Sequence, residues 1–136
     1  MTQKYKTVSL KDWIQELRTT SLKQTKNMLR ARKSDVIEFG DWSGVKAGGY
    51  CCIGIYGRMC GMSDKAMNGQ QQATLEGCDM EFEQPGWLVV HGGTLASLND
   101  DDGYTFAEIA TWAEEHINET DSDASHPIEH SDYETL

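Results

Sequence analysis

Cys51 and Cys52 are adjacent thiols, and His91 and Asn99 follow them in the chain. A thiolate, an imidazole to take its proton and an amide to orient the ring are the parts of a thiol hydrolase, in the order papain-like enzymes use. If the cysteines stood at a helix start, the helix dipole would lower their pKa. No oxyanion-hole context accompanies them, however, and a buried free cysteine commonly serves as a small core hydrophobe. The sequence therefore assigns no catalytic residue and favours a protein that is not an enzyme.

Other chemistries find less. Cys51, Cys52, Cys60 and Cys78 contain no C-x-x-C pair, the spacing that presents two thiolates to one zinc. His126 and His130, beside Glu129 and Asp132, have a metal-like spacing but stand in a polar tail. The turn from Asn99 to Gly103 is rich in acids like a calcium loop, yet Ala110 falls where that loop needs its bidentate glutamate. The pairs Gly48-Gly49 and Gly92-Gly93 do not make a phosphate-binding loop. Neither a metal nor a cofactor is expected.

Elements must hold these residues in place, and local patterns predict several. Ser9 with Asp12 caps a helix in which Leu10, Trp13, Ile14 and Leu17 form an apolar stripe. The pattern breaks at Thr19 to Ser21 and resumes as a basic helix from Lys23 to Arg32. Val36 to Phe39 reads as a short strand. Tyr50 to Cys60 reads as a buried helix closed by Gly61, with Gly54 and Gly57 allowing another backbone or a ligand to come close. Met80, Phe82 and Trp87 to Val90 suggest a hairpin turning at Pro85-Gly86 and ending at Gly92-Gly93. Thr94 to Leu98 then serves as a connector. Thr105 and Glu108 form a capping box for a last helix to about Asn118. The expected fold is α+β: three or four helices packed with a short antiparallel hairpin, one globular domain over 1–120, and an acidic, flexible tail over 121–136.

The chain has 136 residues and a formal charge of −10, unevenly spread. Residues 1–47 hold ten Lys and Arg against five Asp and Glu, whereas after residue 47 only Arg58 and Lys65 oppose seventeen acids. Such a balance disfavours direct nucleic-acid binding and suits a basic partner, although a charged face that keeps the domain in solution is the plainer explanation. The basic stretch from Lys23 to Lys33 could meet a phosphate or an acidic partner, against the simpler reading of a solvated face. No run approaches the roughly 20 apolar residues that cross a bilayer, and the first ten lack the apolar core of an export signal. Reduced cysteines and a cytoplasmic setting follow as expectations.

The segments Trp13 to Leu17 with Gln24 and Leu29, Tyr50-Cys51-Cys52-Ile53-Gly54-Ile55, Leu95 to Asp100, and Phe106-Ala107-Glu108-Ile109-Ala110 together carry a resemblance. They are similar to a family of small, mostly uncharacterised tailed-bacteriophage proteins. Its members have a Cys-Cys-Leu-Gly-Val-Leu core helix and a Leu-Asn-Asp turn before a Phe-Ala-Glu-Ile-Ala helix. The chain departs from that pattern in a longer insertion over 33–49, in Ile53 for leucine, and over 87–93. His91 lies in a departing stretch, so the resemblance does not extend to a Cys-His-Asn site. It implies a phage accessory protein in the cytoplasm of the infected bacterium, binding a host factor or a defence-related small ligand stoichiometrically. A small cysteine-dependent hydrolase and a minor virion component are the alternatives. For a nucleotide-like ligand the expected contacts are Tyr50, Cys51, Cys52, Gly54, Asn99 and Asp100. For a host protein they lie on the acidic part, and a homo-oligomer is compatible with either.

Overall fold

Ser9 opens the first helix as expected: its hydroxyl accepts from the Asp12 N–H at 3.1 Å, satisfying one of the amides a helix start leaves unpaired. The computed structural model describes residues 4–40, 44–71 and 75–122. Among these residues six helices follow one another: α1 (Leu10–Thr19), α2 (Lys33–Phe39), α3 (Cys52–Cys60), α4 (Asp64–Met67), α5 (Gly86–Asp100) and α6 (Phe106–His116). The expectation of an α+β fold is overturned, because the described residues hold helices and isolated backbone bridges but no strand or hairpin.

The expected hairpin at Pro85-Gly86 is instead the beginning of α5. Pro85 occupies the cap, where its missing N–H costs nothing and its fixed φ suits helix entry. The helix then runs through Gly92-Gly93 and the expected connector to Asp100. Leu88, Gly92, Leu95 and Asn99 recur at four, three and four residues and are all buried, the spacing of one helical face.

Two further expectations exchange places. The basic segment 23–32 is not a helix, and the residues read as a strand from Val36 to Phe39 lie in α2. Long-range bonds decide the matter: the N–H groups of Thr25, Leu29 and Ala31 donate to the carbonyls of Tyr50, Gln70 and Gly49 at 2.8 to 3.0 Å. Asn27, at φ +71°, turns the segment through the left-handed region.

The main core joins α1, α3, α5 and α6. Trp87 is its aromatic centre, with Trp13 and Tyr56 each 5.3 Å away between ring centroids. Their polar tips are paired: Trp13 Nε1 donates to the Cys52 carbonyl at 3.0 Å, and the Tyr56 hydroxyl donates to that of Val8 at 2.9 Å. Gly54 explains how α3 meets the 23–32 segment, since a Cβ there would stand 2.1 Å from the Leu29 carbonyl oxygen. A smaller cluster of Met28, Ala31 and Val45 underlies α2, with Val36 packed against it. Of the acidic tail expected over 121–136, only Asp121 and Ser122 fall within the described residues.

Candidate functional site

Of the residues singled out by the sequence, Cys52, Asn99 and Asp100 are joined by hydrogen bonds, largely to backbone groups. Asn99 ends the buried face of α5 with its side chain wholly enclosed. Its Oδ1 accepts from the Cys52 N–H at 3.2 Å and from Gln24 Nε2 at 2.9 Å. Its Nδ2 donates to the Thr25 carbonyl at 2.9 Å and to Asp100 Oδ1 at 2.8 Å. A primary amide has two donors and two acceptor sites, and all four are used within the chain.

Gln24 carries the pattern onward. Its Nε2 also donates to the Tyr104 carbonyl at 2.8 Å, while its Oε1 accepts from the Phe106 N–H at 3.1 Å. Cys52 and Phe106 are the first residues of α3 and α6, whose N–H groups have no partner inside their own helices. Asn99 and Gln24 therefore supply, from distant parts of the chain, bonds that local caps leave unmade. Asp100 adds a third tie by accepting from the Asn27 N–H at 2.8 Å. The result is a clasp joining the 24–27 segment, the end of α5 and the starts of α3 and α6.

The thiols lie inside the clasp. Cys51 caps α3 with its sulfur, which accepts from the Gly54 N–H at 3.4 Å; Cys52 Sγ reaches the Leu95 carbonyl at 3.7 Å. Burial pushes the Cys51 thiol up to about 12 and that of Cys52 well above its ordinary value. Desolvation thus outweighs the helix dipole, and both stay protonated at neutral pH. His91 is directed elsewhere: its Nε2 pairs with Asp121 at 2.7 Å. Eight residues separate it from Asn99 along α5, about 12 Å at 1.5 Å per residue, so Cys, His and Asn do not assemble. Among the described residues no three His, Cys, Asp or Glu side chains are placed to hold a metal ion. His126 and His130 lie outside those residues.

Tyr50 sits beside the clasp, buried, with its hydroxyl donating to Asp64 at 2.6 Å and the Arg30 and Arg58 guanidinium groups 5.5 and 5.8 Å from its ring centre. Its body is thus packed and its polar end is taken.

Open surface lies on other elements. Along the outer side of α6, Tyr104, Ala107, Glu108, Thr111, Trp112 and Glu115 line a shallow groove of about 480 Å³. Trp112 is half-buried and stacked on His116 at 4.6 Å. Glu115 makes no ion pair among the described residues, whereas Glu114, on the neighbouring face, binds Arg18 of α1 at 2.7 Å. Composition signalled the acidity of this region; the joining of Tyr104 and Trp112 in one groove needed the helix and the clasp before it. A deeper cleft of about 460 Å³ lies between Lys4–Thr7 and the 76–85 segment. Its charges are mixed: Asp79 binds Lys4 at 2.7 Å and the Tyr5 hydroxyl, and these two partners hold its carboxyl below the usual range.

No family model matches the chain, and none was matched among curated proteins or solved structures. Among the described residues no helix is long and apolar enough to cross a membrane.

Proposed function

We propose that this protein is a non-enzymatic binding protein, of the kind phages make to occupy a host factor in the infected cytoplasm, and that it presents the outer face of α6 to a basic protein surface. The observation that carries the reading is the α6 groove: the aromatic side chains of Tyr104 and Trp112 beside Glu108, which caps its own helix, and Glu115, which makes no ion pair among the described residues. Aromatic side chains supply buried area with little rotamer entropy to lose, and nearby carboxylates select a basic partner and speed its approach. The charge of the chain after residue 47 adds to that field.

A small nucleotide-like ligand at Tyr50, Cys51, Cys52, Gly54, Asn99 and Asp100 is the weaker branch. Such a ligand would have to displace bonds the clasp already makes, and leaving buried groups unpaired costs about 1–3 kcal/mol each. A cysteine hydrolase is weaker still, since the thiols are buried and protonated.

Affinity capture from bacterial extract tests the proposal, with the native chain compared against Glu115→Lys/Thr111→Lys, two exposed positions outside the capping box. One basic host protein should be retained at low salt, released as salt rises, and lost with the variant. Capture indifferent to both changes, or a nucleotide co-purifying with the chain and no protein, would overturn it.

A further inference from the structure

The opposite charge gathers elsewhere on the molecule. Lys23, Lys33 and Lys46 line a groove of about 500 Å³ together with Val36, Ile37, Val45 and Ala47. Ile37 is 81 % exposed and adds apolar area to the partly buried Val36 beside it. Three lysines from separate stretches of the chain line this one groove. Lys33 is also the first residue of α2, where the helix dipole disfavours a cation.

Among the described residues no carboxylate pairs with them. Lys33 and Lys46 make no ion pair among the described residues, and Lys23 donates only to the Ala47 carbonyl, at 3.1 Å. The acids of α2 act on Arg32 instead: Asp35 binds it through both carboxylate oxygens, and Glu38 adds a weaker attraction. Apolar side chains beside lysines without carboxylate partners are complementary to a segment with carboxylates along one side and aliphatic residues along the other.

We infer that the groove beside α2 docks an acidic, amphipathic segment of a partner protein, a surface separate from the α6 face. An anionic bilayer or a nucleic-acid duplex shares part of that chemistry, but each spreads negative charge over a wide area and meets the acidic remainder of a −10 chain. A short segment feels only the potential within a Debye length of about 8 Å at physiological salt. Local lysines therefore decide its binding.

The test is fluorescence anisotropy of a labelled helical peptide with glutamates on one face and leucines on the other, titrated with the full chain. A scrambled peptide of equal composition, phosphatidylglycerol vesicles and a short DNA duplex are run in parallel. Saturable binding of the patterned peptide is expected, weakened about tenfold or more, some 1.4 kcal/mol, by Ile37→Asp and by Lys33→Glu/Lys46→Glu. All these positions are exposed, and unchanged unfolding midpoints would show that the variants fold. Glu115→Lys/Thr111→Lys should leave peptide binding intact, which separates this inference from the α6 reading. Absence of saturable binding, equal binding of the scrambled peptide, indifference to both groove variants, or tighter binding to vesicles or DNA would each overturn it.

Discussion

Asn99 is the residue on which the most structure depends. Its amide serves four partners in three parts of the chain, so Asn99→Ala leaves the Cys52 N–H and the Thr25 carbonyl, both buried, without their bonds. At about 1–3 kcal/mol for each orphaned group, the variant should lose about 2–6 kcal/mol in urea unfolding. A loss below 1 kcal/mol would show that water replaces the amide. The thiols report on the same region through pH. A cysteine whose pKa is raised by folding stabilises the native state fully below its unfolded pKa, near 9.0, and that contribution is lost as pH climbs toward about 12. Stability should therefore fall across this alkaline window, with a shallower slope in Cys52→Ala. At neutral pH a thiol reagent should label Cys51 and Cys52 only after denaturant is added.

At the scale of elements, two glycines separate what helix geometry asks from what packing asks. Gly93 lies in α5 with nothing within 4 Å of where a Cβ would stand, so Gly93→Ala should raise stability by about 0.5–1 kcal/mol through helix propensity alone. Had the residue ended a strand, the same change would bring no helix gain. Gly54→Ala should do the reverse. Its Cβ would strike the Leu29 backbone, which must move for α3 to stay seated, and a loss of several kcal/mol in thermal or urea unfolding is expected. The capped helices α1, α3 and α6 were legible because Ser9, Gly61 and the Thr105–Glu108 box are local signals beside a periodic apolar stripe. α5 was obscured by Pro85-Gly86 and Gly92-Gly93, which serve turns as readily as helix starts and close-packed helix interiors. The 23–32 segment has a helical pattern but spends its backbone bonds on residues 44–50 and 70, a choice that only tertiary contact makes.

At the scale of the molecule, the N-terminal segment is tied down by charge. Lys4 and the Tyr5 hydroxyl bind Asp79 across the chain, and their bonds depress its pKa. A carboxylate of this kind stabilises the fold above its unfolded pKa, near 3.8, and the benefit disappears as pH drops below that value. The same sign holds for Asp35, depressed by Arg32. Protection of the Lys6 amide, whose N–H donates to the Cys60 carbonyl, should therefore fall in acid when measured against the intrinsic exchange rate at the same pH, and Asp79→Asn should produce that release already at neutral pH. Unchanged exchange in the variant would place the anchor in Phe82 and Tyr5 packing alone. The two surfaces proposed to meet partners, the α6 groove and the α2 groove, are lined by charges of opposite sign.

What the sequence by itself determined was local or additive: the charge division at residue 47 and three of the helices with their caps. Periodicity and capping act within a few residues, so they can be read along the chain. Tertiary structure alone decided that Asn99 and Gln24 cap the helices of others, that burial keeps the cysteines protonated, and that lysines 23, 33 and 46 share one groove. Desolvation and the pairing of orphan backbone groups depend on which distant segments meet, and no local pattern encodes that meeting.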